Sequence, residues 1–214
     1  MYFQTVSNGS LDEHIYLIGA DGTNDAVVID PGMPQPALDA LERAGRRCVA
    51  VLLTHGHFDH IGGVRALKDT YDAKVYIHEE DAEMLRSNRR SLAVLTGGLN
   101  QPVEPDTLLH GGETLSLAGL TLKVIHTPGH TRGGVCYLLE SERKLFVGDT
   151  LFMEDAGRTD FPGGSEKELF YSITDKLFSL DGDYDVYCGH DEDTTLEHER
   201  THNPFIASRR RRGW

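Results

Sequence analysis

The segment His55-Gly56-His57-Phe58-Asp59-His60 constrains this chain more than any other feature of its sequence. It directly follows an apolar run with the length and composition of a buried strand. Residues two apart in an extended backbone project to the same side, so His55 and His57 can face one ion. Asp59 and His60 would open the following helix and turn toward a neighbouring position. Since imidazole and carboxylate ligands suit zinc, iron or manganese, the segment predicts a metal site at a strand end.

Three more candidate ligands each follow a predicted strand, namely His130, Asp149 and His190. Taken singly, each has an ordinary explanation, because an aspartate after a glycine at a strand end is usually a turn residue. All of them, however, lie just beyond the carboxyl end of an apolar strand, where open α/β sheets place their sites. The recurrence of one kind of residue at one kind of position predicts that these side chains converge on one metal site.

Strands and helices alternate in the first half of the chain, and strands with short turns dominate the second half. The predicted strands are Tyr2–Val6, His14–Ile18, Ala26–Ile29, Val49–Leu53, Lys74–Ile77, Leu115–Leu117, Leu120–His126, Val135–Leu139, Lys144–Val147 and Asp185–Tyr187. Such a succession indicates a layered α/β fold with mixed sheets. The stretch Asn88–Pro105 has no clear period and is predicted to be a surface excursion.

Five helices are predicted. One covers about Gln35–Ala44, and a second carries Ile61, Val64 and Leu67 on one face. A third follows Gly164, where Ser165 and Glu168 form a capping box. Near the C-terminus, a second capping box pairs Thr194 with Glu197, and Asn203-Pro204 marks another helix start.

The chain has 214 residues, of which 39% are hydrophobic, enough to bury one substantial core. Since no low-complexity linker interrupts it, we predict one domain over residues 1–207. The remainder, residues 208–214, is predicted to be a disordered basic tail that includes Arg209, Arg210, Arg211 and Arg212.

The net charge and the cysteine content limit the classes of partner and the compartment that we expect. The formal net charge is −13, which disfavours a nucleic-acid surface, and no apolar run approaches membrane-spanning length. Cys48, Cys136 and Cys188 are an odd number in apolar segments, so we predict buried free thiols and a reducing compartment. We therefore expect a cytoplasmic enzyme that acts on a small molecule, without a nucleic-acid or membrane partner.

The candidate ligands also match a known family. Together they resemble the metallo-β-lactamase superfamily over nearly the whole chain, through His55, His57, Asp59, His60, His130, Asp149 and His190. The resemblance implies a four-layer αβ/βα sandwich, two mixed sheets flanked by helices, with the site at one edge. It also implies that His55, His57 and His130 hold a first metal, that Asp59, His60 and His190 hold a second, and that Asp149 bridges them.

An aspartate at the bridging position resembles the glyoxalase-II-type hydrolases. The runs Gly157–Gly164 and Glu199–Phe205 are similar to the short, single-domain members of that group, and the first run is also similar to the persulfide dioxygenases of the same superfamily. Gly134 stands where many relatives have a second histidine. Asp191 follows His190 where the short hydrolases more often have glycine, and there the chain resembles the dioxygenases.

Two divalent ions, most simply zinc with iron or manganese as alternatives, suit hydrolysis. Zinc lowers the pKa of bound water to about 7, and two ions about 3.5–4 Å apart can share the hydroxide and polarise an acyl oxygen. Asp59 could orient that hydroxide or accept its proton. Arg158 could grip a substrate carboxylate or pair structurally with Asp160. Asp30 could fix a ligand imidazole or serve only as a turn residue.

These features predict hydrolysis of an anionic thioester such as an acyl-glutathione, with glutathione supplied by the resemblance. One alternative is a mononuclear-iron persulfide dioxygenase that uses His55, His130 and Asp149. Another is a metal-stabilised binding module without turnover, although seven ligands exceed what a closed four-coordinate structural site needs. The remaining histidines are interpreted as structural: His14, His78, His110, His126, His198 and His202.

Overall fold

The computed structural model describes residues 1–8, 11–97, 99–211 and 213, which form two six-stranded sheets and a small hairpin. The first sheet contains β1 (Tyr2–Asn8), β2 (Glu13–Gly19), β3 (Asp25–Ile29), β4 (Arg47–Leu52), β5 (Lys74–His78) and β6 (Thr107–Leu109), in that spatial order. The second contains β7 (Thr114–Leu117), β8 (Leu120–His126), β9 (Val135–Leu139), β10 (Lys144–Gly148), β13 (Asp185–Cys188) and β14 (Thr194–Thr195). The hairpin pairs β11 (Leu151–Phe152) with β12 (Asp155–Ala156).

Both sheets are mixed, as predicted. In the first, β3, β4, β5 and β6 are parallel neighbours, while β1, β2 and β3 pair antiparallel. The second has the order β14-β13-β10-β9-β8-β7, and only the β10–β13 pair is parallel. Because β9 lies antiparallel between β8 and β10, the strands β8, β10 and β13 all run in the same direction. Their carboxyl ends therefore meet at one edge.

The helices lie on the outer faces of the two sheets. They are α1 (Pro34–Ala44), α2 (Phe58–Ile61), α3 (Val64–Tyr71), α4 (Glu166–Tyr171), α5 (Leu196–His202) and α6 (Pro204–Arg210). A π-helical segment, Ser172–Leu177, continues α4, and short 3-10 turns cover Ala82–Leu85, Ala93–Leu95 and Glu140–Glu142. Within the described residues, none of the helices is both long and apolar enough to cross a membrane.

Three buried clusters correspond to the spaces between the layers. Tyr16 of β2 packs between the sheets on Phe146 of β10, with ring centroids 5.3 Å apart. The next residue, Leu17, belongs instead to the cluster under α1 and α3. A third cluster lies between the second sheet and the C-terminal helices and includes Cys136 and Ile173. Because alternate residues of a strand point to opposite faces, this arrangement confirms the predicted four-layer sandwich.

The second predicted helix is broken into α2 and α3 by Gly62 and Gly63. The backbone of this pair packs against the loop after β3: the N–H of Gly63 donates to the carbonyl of Pro31 at 2.6 Å. A methyl group at Gly62 would lie 2.2 Å from the carbonyl oxygen of Gly32. The glycines thus allow the loop and the helix start to touch, and a continuous helix through this point was the wrong prediction.

The predicted helix starts are partly correct. Ser165 accepts from the N–H of Glu168, so the predicted cap of α4 is confirmed. The second capping box is displaced by one residue, because Thr195, not Thr194, caps α5. The side chain of Thr194 instead donates to Glu199 at 2.7 Å. Asn203 caps α6, as its position before proline predicts.

The basic end of the chain differs in part from the prediction. Helix α6 continues to Arg210, so residues 208–210 are helical rather than disordered. The guanidinium of Arg209 contacts Glu166 near the start of α4, and it lies over the Phe205 ring. Arg212 and Trp214 lie outside the described residues. The three cysteines are buried and unpaired, as predicted.

The described residues of the surface excursion, 88–97 and 99–105, have little regular structure, as predicted, but they pack on the segment that carries the candidate ligands. The carbonyl of Ser91 accepts from the N–H of Phe58 at 2.9 Å, and the Asn100 amide donates to the carbonyl of Phe58 at 3.1 Å. This fixes the excursion next to α2, at the edge where the carboxyl ends of β4, β8, β10 and β13 meet.

Candidate metal centre

A first group of ligand atoms comes from one loop of each sheet. His55 and His57 follow β4, His130 follows β8, and their ligand atoms all lie within 4.8 Å of one another. Nδ1 of His57 is 2.9 Å from Nε2 of His130. The ring of His55 is T-shaped to both others, with centroids 4.8 Å apart in each pair. Three ring nitrogens therefore converge on one point.

A second group lies beside the first. Asp59, His60 and His190 also place ligand atoms within 4.8 Å of one another. Nε2 of His60 is 3.3 Å from Nε2 of His190, which in turn is 3.5 Å from Oδ2 of Asp59. His60 is completely buried, whereas Asp59 and His190 are partly open to solvent. This second group thus forms the more accessible side of the centre.

Asp149 lies between the two groups. Its Oδ2 is 3.5 Å from Nε2 of His130 in the first group and 3.7 Å from Nε2 of His190 in the second. Its Oδ1 is 3.4 Å from Nε2 of His60. One carboxylate consequently faces ligands of both groups, the arrangement a bridging ligand requires.

The orientation of the rings is set by hydrogen bonds behind them. Nδ1 of His130 donates to the carbonyl of Arg158 at 2.8 Å, and Nδ1 of His190 donates to the carbonyl of Leu11 at 2.9 Å. Nδ1 of His60 lies 3.0 Å from Oδ2 of Asp30. Because these oxygens only accept, each ring in its neutral form carries its proton on Nδ1 and presents an unprotonated Nε2 to the centre, as metal-ligating histidines usually do.

Two atoms of the centre lack protein partners. Nε2 of His55 and Oδ1 of Asp149 are buried, and no hydrogen-bond partner reaches them within the part of the chain that the structure describes. Leaving such a group unsatisfied costs about 1–3 kcal/mol, so an unexplained pair is unusual. Five imidazoles and two carboxylates form a donor set that suits zinc, iron or manganese. The residues therefore fit a pair of divalent cations.

Electrostatics supports the ligand roles in the first group. Burial and the neighbouring His60 lower the pKa of His55 well below its ordinary value. Burial and His130 lower the pKa of His57 to about 3. Both rings are neutral at physiological pH, which is the form that coordinates a metal.

In the second group, the charged neighbours outweigh the effect of burial on the pKa values. Burial alone would lower the pKa of His60, but Asp149 and Asp30 raise it well above the ordinary value. Burial alone would raise the pKa of the Asp59 carboxyl, but the hydrogen bond with His190 holds it below its usual range. A cation that binds here must therefore displace a proton from His60.

Comparison with known proteins agrees with this geometry. A family model described as the metallo-β-lactamase superfamily matches residues 9–190. The chain belongs to this superfamily. Its two mixed sheets flanked by helices are the fold of that superfamily.

Relatives match along nearly the full length of this metallo-β-lactamase-superfamily chain. An uncharacterised protein of Mycobacterium leprae is 39% identical over 92% of this chain and 95% of its own length. A protein of Haemophilus influenzae named hydroxyacylglutathione hydrolase GloC is 33% identical over 88% of this chain and 91% of its own.

Solved structures superpose equally completely. The crystal structure of BLEG-1 B3 metallo-β-lactamase has a TM-score of 0.88 and 36% identity, covering 96% of this chain and 99% of that one. The crystal structure of TTHA1623 in a di-iron-bound form has a TM-score of 0.82 and 36% identity, covering 94% and 99%.

The candidate metal centre of this superfamily member opens into a cavity of about 420 Å³. Five of the seven candidate ligands line it, and the rest of its lining is largely apolar, provided by Leu11, Phe58, Leu92, Phe152 and Phe161. Arg158 and Asp191 also line it. The sequence did not predict these walls, because they come from segments that are distant in the chain and have no shared pattern.

Arg158 has both features considered from the sequence. Its guanidinium lines the cavity and lies over the Phe161 ring, 3.9 Å from the centroid. It also forms a two-pronged ion pair with Asp160, with Nε and Nη2 2.7 and 2.8 Å from the two carboxylate oxygens. Two of its five N–H groups are thus engaged, and Nη1 makes no hydrogen bond within the described residues.

Two further residues shape the centre and were missed from the sequence. Asp81, fully buried after β5, accepts from the N–H of Gly56 at 3.1 Å, the hydroxyl of Thr131 at 2.7 Å and the N–H of Gly133 at 2.9 Å. It therefore ties the His55–His57 loop of one sheet to the His130 loop of the other. A methyl group at Gly189 would lie 2.2 Å from Oδ1 of Asp149, so only glycine leaves room for that carboxylate.

His78, Glu80 and His126 also place ligand atoms within 4.8 Å of one another. The rings of His78 and His126, however, are stacked, with centroids 4.1 Å apart and an interplanar angle of 13°. A coordinated metal lies in the plane of each imidazole ring, and two nearly parallel stacked rings cannot both meet that condition. This geometry favours the structural interpretation of both histidines.

Proposed function

We propose that the chain hydrolyses an anionic thioester, such as an acyl-glutathione, with two divalent metal ions, in the first instance zinc. His55, His57 and His130 would hold the first ion, Asp59, His60 and His190 the second, and Asp149 both. The observation that carries this proposal is the position of Asp149, whose carboxylate lies 3.5 Å from His130 and 3.4 Å from His60. A complete second group of ligands beside the first is what a dinuclear hydrolase needs and a mononuclear oxygenase does not.

When bound, the ions supply a water with a pKa of about 7 and a Lewis acid for the acyl oxygen. The protein itself provides a proton acceptor and a site that excludes bulk water. Asp59 keeps an ionised carboxylate at the more open side of the centre, where it can orient the attacking water and accept its proton. The apolar walls exclude bulk water from the acyl group and strengthen the electrostatic interactions at the carbonyl.

The choice of a thioester rests on the relatives and on the cavity. The Haemophilus influenzae relative is named a hydroxyacylglutathione hydrolase and is similar to this chain over nearly its whole length. An apolar cavity with a guanidinium at its side suits a substrate that joins an acyl group to an anionic thiol. The sequence also lacks a Gly-x-Ser-x-Gly elbow, so a serine nucleophile is not indicated.

Arg158 is proposed to contact an anionic group of the substrate through its free Nη1 edge. We expect Arg158→Ala to raise KM for an acyl-glutathione more than it lowers kcat, because this contact forms in the ground state and the transition state alike. Steady-state kinetics on the metal-loaded protein measures both constants. Asp160→Ala serves as the control, since it removes the ion pair and keeps the guanidinium. If both variants leave KM unchanged and lower the melting temperature, the residue is only structural.

The proposed function is tested by measuring thioester cleavage with and without oxygen. We expect the metal-loaded protein to cleave an acyl-glutathione equally fast in air and under nitrogen, because hydrolysis consumes only water. Oxygen-dependent turnover of a glutathione persulfide, without thioester cleavage, would assign the chain to the dioxygenases. Hydrolysis of a penicillin without thioester cleavage would instead align it with the activity named for BLEG-1.

A further inference from the structure

A second cavity, of about 640 Å³, lies beside the metal cavity. Residues 80–92, after β5, form one side of it, and Arg132 with Pro162 and Gly163 form the other. Leu92 lines both cavities, and Phe161 of the metal cavity directly precedes Pro162 of the second. The two spaces are therefore neighbours that share a wall, and a ligand long enough could occupy both.

Three arginines line this second cavity, namely Arg89, Arg90 and Arg132. All three are exposed, and across residues 1–8, 11–97, 99–211 and 213 none has a carboxylate within 4.0 Å of its guanidinium. By contrast, the adjacent Arg86 pairs with Glu104 at 2.6 Å. In a chain with 34 acidic and 21 basic residues, three guanidiniums without acidic partners around one cavity need an explanation.

We propose that this second cavity binds the anionic thiol half of the substrate, through contacts of Arg89, Arg90 and Arg132 with its carboxylates. The inference rests on the proposed function, since it places the acyl carbon at the metals and the far end of the thiol at the arginines. Guanidinium groups bind carboxylates through paired N–H donors, which suits this role. The arginines also offset locally the repulsion that a net charge of −13 exerts on an anionic substrate.

The acidic residues of the same cavity indicate which anion fits. Glu80 and Glu83 line it together with the arginines. Glu83 lies 3.3 Å from Nη1 of Arg86, whereas Glu80 has no cation at ion-pair distance within the described part of the chain. Glu80 can therefore accept an ammonium group, and it repels phosphates. A peptide-like thiol with two carboxylates and one ammonium, such as glutathione, fits this wall better than a phosphate-rich thiol such as coenzyme A.

The test is equilibrium binding of S-hexylglutathione, a thioether that cannot be hydrolysed, to the full metal-loaded chain by calorimetry. We expect the double variant Arg89→Ala/Arg132→Ala to raise Kd about tenfold, the size expected for two partly exposed ion pairs. Arg43→Ala is the matched control, because Arg43 is an exposed arginine of α1 that lines neither cavity. It should leave Kd unchanged. All variants should keep the melting temperature of the unaltered protein.

A neutral thioester, an acyl-N-acetylcysteamine, gives a second readout. Its KM should be the same in the unaltered protein and in the double variant, since it has no anionic end. Unchanged binding of S-hexylglutathione in the double variant would overturn the subsite, as would tighter binding of S-hexyl coenzyme A than of S-hexylglutathione to the unaltered protein.

Different results would contradict the arginine subsite and the proposed hydrolase function. Acyl-glutathione hydrolysis that is equally efficient in the double variant contradicts the subsite and leaves the hydrolase in place. Binding of S-hexylglutathione that weakens in the double variant, in a protein that cleaves no thioester, supports the subsite and contradicts the hydrolase.

Discussion

Replacing His60 with alanine is expected to lower the rate of thioester hydrolysis about a hundredfold or more, the order found when one group that stabilises the developing charge is removed. His60 is completely buried, and its Nε2 lies 3.3 Å from His190 and 3.4 Å from Asp149. Its loss leaves the second group without its central ligand. The measurement is kcat/KM for an acyl-glutathione in the presence of excess metal.

This variant also removes one partner of the buried Asp30, which keeps its two hydrogen bonds from Thr54, so a loss of folding must be distinguished from a loss of chemistry. His190→Ala provides the second variant, since His190 is partly exposed and should tolerate replacement better. His202→Ala, on the surface of α5, is the control that should keep full activity. A folded His60→Ala variant that still turns over a persulfide with oxygen would support the dioxygenase instead.

Replacing Asp149 with alanine is expected to lower metal occupancy at both positions. Its two oxygens face His130 on one side and His60 and His190 on the other, so its removal takes a ligand from each group. His190→Ala should mainly empty the second position and leave about one ion per chain, because only the second group loses a ligand. Metal content after dialysis, determined by plasma mass spectrometry, separates the two results.

Circular dichroism must show that both variants remain folded. An Asp149→Ala protein that keeps two ions per chain would mean that this carboxylate does not bridge. Asp175→Ala, a replacement of an aspartate in the π-helical segment away from the centre, should keep the metal content of the unaltered chain.

The sequence predicted which side chains come together in the candidate centre because these residues obey a local rule. His55, His57, His130, Asp149 and His190 each come just after a strand, and strands that run in the same direction end at the same edge. The succession of strands and helices predicted a layered α/β fold with mixed sheets, and the family resemblance supplied the four layers.

What the sequence did not predict depends on contacts between distant segments. Asp81 accepts hydrogen bonds from Gly56 and Thr131, which are 25 and 50 residues away in the chain. Nothing in the acidic run around Asp81 indicates that it is a buried acceptor rather than an exposed turn residue. The break at Gly62 depends on the approach of the loop after β3. The shift of the α5 cap to Thr195 follows from the bond between Thr194 and Glu199, which competes with capping.

The arginines of the second cavity were likewise not predicted from the sequence. Arg89 and Arg90 belong to an aperiodic stretch, and Arg132 follows a different strand, so only the fold brings them together. Arg158, the arginine chosen from the sequence, has Asp160 two residues away and is partly engaged by it. The sequence therefore identified Arg158, whose acidic partner is two residues away, and missed the three arginines of the second cavity.

The most direct measurement is the number of metal ions per chain in protein purified without added metal, combined with oxygen uptake during turnover. We expect two divalent ions per chain and no oxygen consumption while an acyl-glutathione is cleaved. One iron per chain, with one oxygen molecule consumed per turnover of a persulfide, would contradict it.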